Sequence, residues 1–329
     1  MRIAIVRLFL FMAFAPCLMV GAGGQNPNRV TQSRDRSKEF VGWVQPEKLY
    51  WRPFSITGLP DAEFKLLSYD ETTRARAQIT RLPAGWRQPK GYFNTNEEIF
   101  VLSGDLTIGG KKMSKYSYAY YPAGYAHGQA TTEYGATLLQ WWDADPEFAV
   151  SNEHKPGTRT AELVEDWNFY ETPWTRDQDF PAKYDFPTPP NRRLKLLRQD
   201  KVTGQMTWIN WSSPGNVRVG YPPNQPWEVH TSWEEAMVLE GDLTYGECLP
   251  QGEVVGTYTA GGYFFRPAGI RHGGRSAGAS SYALFLFRCG NLLETHYYAD
   301  CDNPRKQAVP QEKEEEKSKA GSPSPHLRF

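Results

Sequence analysis

The sequence predicts an all-β chain made of two homologous modules, and three observations carry that expectation. One stretch of the chain occurs twice. Glu98-Ile-Phe-Val-Leu-Ser-Gly-Asp-Leu-Thr107 matches Glu235-Ala-Met-Val-Leu-Glu-Gly-Asp-Leu-Thr244, and Pro122-Ala-Gly-Tyr-Ala-His127 matches Pro267-Ala-Gly-Ile-Arg-His272 in the same order. The composition, with 29 Gly, 25 Pro and 14% aromatic residues, places turns at short intervals and leaves little room for long helices. Short runs rich in β-branched and aromatic residues (Gln205 to Trp211, Tyr263 to Arg266, Ser281 to Arg288) are bounded by Gly, Pro, Asn or Asp, as strands are.

Taken in chain order, the first element is an export signal over residues 1–22. Arg2 and Arg7 precede an apolar stretch from Leu8 to Val20, and Val20, Gly21 and Ala22 supply the small residues of a cleavage site. Arg7 and Pro16 interrupt a stretch already near the minimum spanning length, so no stable membrane span is expected after cleavage, and the mature protein is expected to be secreted or periplasmic. Residues 23–44 form an extension, 45–150 the first module, 151–190 a linker, 191–301 the second module and 302–329 a tail. Lys65-Leu-Leu67 and Lys195-Leu-Leu197 extend the repeat upstream, and the offset between copies grows along the chain, so the second copy carries longer loops. Ser281-Tyr-Ala-Leu-Phe-Leu-Phe-Arg288 is apolar on both alternating faces, which suits a strand packed inside a sandwich or barrel. Ser103-Gly-Asp105 and Glu240-Gly-Asp242 read as hairpin turns in which Gly supplies a positive φ.

The linker carries Pro156, Pro173, Pro181, Pro187, Pro189 and Pro190, poor material for continuous sheet, while Trp167, Phe169, Tyr170 and Trp174 imply that it lies against the modules. The tail alternates charge through Gln311 to Lys319 and is expected to be disordered. Lys+Arg and Asp+Glu both number 37, so no electrostatic footprint for nucleic acid exists. Cleavage after Ala22 leaves Cys248, Cys289 and Cys301, which allow at most one internal bridge in any of three pairings, or none.

The spacing of His and Glu in the second copy resembles the cupin superfamily. His230 and Glu234 precede Gly241 as the second His and the Glu of the family's first motif do, and Gly261, Pro267, Gly269 and His272 match its second motif. The wording around them looks most like the ChrR-like cupins. The resemblance implies two tandem cupin jelly-roll (double-stranded β-helix) modules, hence a bicupin, with one divalent metal ion, Fe(II), Zn or Mn, in the second module. His230, Glu234 and His272 are the implied ligands. Glu228 stands where the family has its first His, and because alternate strand residues share a face it can join them as a fourth. The first copy keeps Glu97 and His127 but has Gly91 and Phe93 in place of the two histidines, and two ligands rarely hold a divalent ion, so this module is expected to be metal-free. Around the second site Trp227, Trp233 and Tyr263 can line an apolar pocket, and Arg266, Arg271 and Arg275 can meet an anionic group.

Three functions remain open at this stage. The first is an exported Fe-type metal-dependent dioxygenase acting on a small carbonyl or phenolic compound. The second is a non-catalytic protein that binds a metal or a small molecule. The third is a ChrR-like sensor domain, which an export signal disfavours. The modules are expected to pack on one another, within one chain or across a homodimer, because a β-sandwich must cover its edge strands.

Overall fold

The computed structural model describes residues 38–184, 192–213 and 227–301; the expected signal, the tail and most of the extension lie outside them. Apart from short 3-10 turns, the regular elements among the described residues are strands, and they build two jelly-roll modules. No helix among the described residues is long and apolar enough to cross a membrane.

In the first module a seven-stranded antiparallel sheet runs in the order Val164–Asn168, Ser117–Tyr121, Glu97–Gly104, Ala136–Trp142, Arg76–Leu82, Ala62–Tyr69, Arg52–Phe54. A four-stranded sheet containing Leu106–Ile108 and Ala130–Thr131 closes over one face, and Ile99, Val101, Leu106, Ile108 and Leu138 meet in the space between. The second module is one curled sheet in which Glu234–Leu249 belongs to both layers. Its first half pairs with Tyr263–Arg266 and Ala283–Cys289, and its second half with Gly252–Thr259 and His272–Gly278.

That change of partner corrects the expected hairpins. At Gly104 and Gly241 the chain does take a positive φ (84° and 77°), but it bends from one layer into the other instead of reversing. A Cβ at Gly104 would lie 2.1 Å from the Gly135 carbonyl oxygen, and one at Gly241 1.7 Å from that of Tyr282, so at both corners the facing backbone excludes any side chain.

The two-residue period of a strand decides what each module does with its Glu-Glu pair. Along Glu97–Gly104, Glu97, Ile99 and Val101 face the interior of the first module, while Glu98 and Phe100 face outward. Along Glu234–Leu249, Ala236 and Val238 face the second interior, and Glu235 and Met237 face outward. The outward sets meet. Phe100, Leu139 and Trp141 of the first module join Ile209, Met237, Phe265 and Leu286 of the second in one buried cluster, where each large apolar side chain contributes about 1.5–3 kcal/mol.

Two carboxylates sit within this apolar cluster and one guanidinium spans them. Arg288 donates from Nε to Glu98 Oε1 (2.7 Å), from one terminal nitrogen to Glu235 Oε1 (3.1 Å) and from the other to Asp143 Oδ1 (3.1 Å). Tyr118 and Thr207 donate to the other oxygen of Glu98 at 2.9 and 2.6 Å, and Tyr263, which aligns with Tyr118 in the repeat, donates to the other oxygen of Glu235. Burial alone would raise the Glu98 carboxyl, but Arg288 and then Arg198 hold it below its usual range.

Flanking segments are exchanged between the modules. Val41–Val44, which precedes the first module, pairs with Tyr263–Arg266 of the second, while Val164–Asn168, from the region expected to be linker only, pairs with Ser117–Tyr121 of the first. The repeated Lys-Leu-Leu explains how each segment is held. Lys65 Nζ donates to the Pro46 carbonyl (2.7 Å) and lies over the Trp51 ring, and Lys195 Nζ donates to the carbonyls of Phe169 and Thr172 and lies over the Phe169 and Trp174 rings.

Of the three open cysteine pairings, the structure contains Cys248–Cys301, which ties the end of Glu234–Leu249 to the last described residue across 53 positions. Cys289 is free, buried, and its thiol is pushed up to about 12 by burial. Three outcomes are expected. Arg288→Ala removes the guanidinium shared by buried Glu98 and Glu235, leaving Glu98 only the more distant Arg198, and lowers the unfolding free energy, measured in urea, by about 3–5 kcal/mol. Cys301→Ser lowers it by about 4 kcal/mol through the lost loop closure, while Cys289 resists a thiol reagent until the chain unfolds.

Candidate metal centre in the second module

Glu228 and His230 lie on the short strand Trp227–His230, two residues apart and therefore on one face. That strand pairs with the start of His272–Gly278, where Glu228 lies opposite His272. Glu234 opens the next long strand, one turn further along the chain. The three elements bring the four residues named from the sequence to one place. Nε2 of His272 lies 3.6 Å from Glu228 Oε1 and 3.7 Å from Glu234 Oε2, and Nε2 of His230 lies 3.6 Å from Glu234 Oε1. One donor atom each from Glu228, His230 and His272 lie within 4.8 Å of one another, and all three residues are buried.

The imidazoles are held so that Nε2 faces the centre. His272 donates from Nδ1 to the Ile270 carbonyl (3.2 Å), and His230 Nδ1 bonds Thr295 Oγ1 (2.9 Å), a residue that strand pairing places directly opposite. Burial, and next the charge of Arg266, push His272 well below the usual imidazole range, so it is neutral, as a metal ligand must be. Thr295 was not among the residues named from the sequence, because it lies 65 positions from His230 and belongs to neither motif.

The structure changes the weight of two members. Glu228, the departure from the family's pattern, belongs to the tightest group, while Glu234 shares its charge with Arg266, whose Nη1 donates to Glu234 Oε2 at 3.0 Å. Arg266, expected to meet an anionic ligand, is instead 2% exposed and grips Glu247 through Nε at 2.8 Å and Nη2 at 2.6 Å. Burial opposes its charge, yet Glu247 and then Glu234 outweigh that and keep the guanidinium ionised. Trp233 and Tyr263 pack in the cluster between the modules instead of around the site, and Trp227 covers Gly246 and Gly274. Arg271 is tied to the carbonyls of Asp300 and Cys301.

The donor set suits a divalent ion on its chemistry, since imidazole together with carboxylate suits Fe(II), Mn or Zn.

In the first module the matching positions are filled differently. Glu97 and His127 are both buried, but Gly91 and Phe93 occupy the positions of Glu228 and His230, and Tyr121 that of Arg266. His127 donates from Nδ1 to the Gly128 carbonyl (2.8 Å) and accepts from the Gln88 amide at Nε2 (3.0 Å), so the lone pair that His272 keeps open is used here. Glu97 accepts from Gln140 Nε2 (2.8 Å), and burial pushes its carboxyl up to about 8.

The model of one family, described as "Domain of unknown function (DUF4437)", matches residues 42–293. No curated protein matches the chain. Among solved structures, the chain is similar to a proposed dioxygenase from Nostoc punctiforme PCC 73102, with 19% identity and a TM-score of 0.63 over 80% of this chain and 88% of that one. It is also similar to the oxalate decarboxylase of Lactobacillus farciminis in a formate complex (14% identity, TM-score 0.50, 88% and 94% covered) and to vicilin from Corylus avellana (12%, 0.50, 78% and 87%). At these identities the likeness shows the fold, which is that of the cupins.

A pH effect follows from Glu97. The folded chain keeps its proton up to about pH 8, whereas the unfolded chain loses it near 4.5, so between these values the folded state binds more protons. The stability tied to this group is full below pH 4.5 and lost as pH rises through about 8. Glu97→Gln removes the titration, and urea denaturation across that window is expected to show a decline smaller than in the wild type by a few kcal/mol.

Proposed function

The chain belongs to the DUF4437 family, and we propose that this member is an exported bicupin with ChrR-like modules. In this reading it holds one divalent metal in its second module and acts as a dioxygenase on a small carbonyl or phenolic compound. The observation that carries the reading is the convergence of Glu228, His230 and His272 in a buried group with both Nε2 atoms turned inward. A divalent ion there supplies Lewis-acid chemistry and a template that sets a chelating substrate beside oxygen.

The chain's own residues prepare that place. Thr295 and the Ile270 carbonyl fix the two rings, Arg266 fixes Glu234, and Glu247 anchors Arg266 and balances its charge. A set of two imidazoles and one or two carboxylates leaves coordination positions for substrate. The proposed dioxygenase among the similar structures supports the reaction class. The Cys248–Cys301 bridge supports export, since such bridges persist in oxidising compartments and are rare in the cytosol, where a sensor domain would work.

Elemental analysis of the purified chain is expected to find one divalent ion per chain. His272→Ala should abolish retention and His127→Ala leave it unchanged. Glu228→Gln should weaken binding, and Thr295→Val should lower affinity about 10–100-fold by freeing the His230 ring. Two ions per chain, or metal retained after His272→Ala, would overturn the site. Oxygen uptake with a panel of β-dicarbonyls and phenolic ketones tests the reaction; a stoichiometric ion without turnover on any of them would count for a binding protein instead.

A further inference from the structure

The interior of the first module holds a cavity that the proposed metal chemistry does not use. It is a narrow slot with a cavity volume of about 40 Å³, and the half-buried Ile56 and Leu59 are part of its lining. Trp86, Phe93, Ile99, Leu106, Leu138 and Trp142 make apolar walls, and all six are buried. Among the described residues, no Lys, Arg or Asp lines it. Its polar side chains are Thr80, Gln88, Glu97, His127 and Gln140, and three polar atoms of the lining residues are buried without a hydrogen-bond partner: Glu97 Oε2, Gln140 Oε1 and the indole Nε1 of Trp142. Glu97 is 3% exposed and Gln140 6%, so neither of these oxygens is served by bulk water.

We infer that this cavity is a metal-free binding site for a small uncharged hydroxyl compound of the phenol class, its ring against the apolar walls and its hydroxyl between Glu97 and Gln140. The hydroxyl fits because it is both donor and acceptor. Gln140 already donates to Glu97 through its amide nitrogen, which leaves its oxygen as an acceptor. Glu97, protonated below about pH 8 because it is buried, presents an O–H donor. A ligand hydroxyl accepts from Glu97 and donates to the Gln140 oxygen, satisfying two groups that are otherwise costly to bury. A carboxylate ligand would find no cation here, and a hydrocarbon would leave both oxygens unpaired. His127 is not competing for the ligand, since Gln88 and the Gly128 carbonyl use both ring nitrogens.

The differences between the two modules point the same way. Replacing the second module's Glu228, His230 and Arg266 by Gly91, Phe93 and Tyr121 removes charge from the interior, while Gln140 stands where the second copy has Phe287. Where the second interior carries charged side chains, the first has neutral hydrogen-bonding groups among aromatic walls.

The test is calorimetric titration of the full-length chain with 4-methylphenol at pH 6.5, after chelation and dialysis, with toluene and 4-methylbenzoate as comparators. One 4-methylphenol per chain is expected, with toluene and 4-methylbenzoate each at least tenfold weaker. The same result is expected in the His272→Ala chain, which separates this site from the metal centre. Leu138→Trp, and from the opposite wall Ile108→Phe, fill the slot and should abolish binding, with circular dichroism confirming that each variant folds. Gln140→Leu, which removes the acceptor, should weaken 4-methylphenol at least tenfold and leave toluene within about twofold. The inference is overturned if no saturable binding occurs at millimolar 4-methylphenol, if toluene binds equally well, or if binding persists in a folded variant with the slot filled or vanishes in His272→Ala.

Discussion

Arg288 is the interaction on which the arrangement of the chain depends. Glu98 and Glu235 stand at equivalent positions of the two copies, both buried where the modules meet, and one guanidinium bonds both. Taken separately, each module would expose an apolar sheet face carrying a buried-type carboxylate, which is costly without its partner. The ion network therefore fixes the register of two surfaces whose apolar contacts alone would be tolerant of sliding. Since Trp141 aligns with Arg288 in the repeat, the network is asymmetric: the cation comes from one copy and serves both.

The same strand period ties that interface to the candidate metal centre. Glu234 and Glu235 are neighbours on one strand and point to opposite faces, so the residue facing the ion site is one position from the residue facing the other module. A one-residue slip of Glu234–Leu249 against Ala283–Cys289 would move Glu235 into the site and Glu234 into the interface. The corner at Gly241 then takes the strand into the second layer, where Glu247 reaches back to Arg266. Interface, corner and site are thus three consequences of one register. The exchanged flanking strands, held by Lys65 and Lys195, add a further tie between modules that neither could form alone.

Duplication let the two interiors diverge while the shell stayed common. Tyr118 and Tyr263 serve the interface carboxylates in the same way, and Gly104 and Gly241 turn the same corner, because these positions answer to packing shared by both copies. The interior positions answer only to what each cavity holds. In one module they bring two carboxylates and two imidazoles together with the Nε2 atoms turned inward; in the other the corresponding imidazole is occupied by Gln88 and the corresponding carboxyl is kept neutral by burial.

By itself the sequence determined the duplication and the all-β class, because each rests on a local pattern, a repeat or a two-residue period; Glu228, His230, Glu234 and His272 were singled out only through the cupin resemblance. It also marked Lys65 and Lys195 as a matched pair without showing what they bind. What only the tertiary structure decided are the relations between distant segments. The pairing of Cys248 with Cys301, the exchange of Val41–Val44 and Val164–Asn168, and the support of His230 by Thr295 all join residues tens to hundreds of positions apart. Arg266 and the Gly-centred turns were misread for the same physical reason. Whether an arginine meets solvent or a buried carboxylate, and whether a glycine reverses a strand or bends it between layers, depends on what packs opposite, and local sequence does not carry that information.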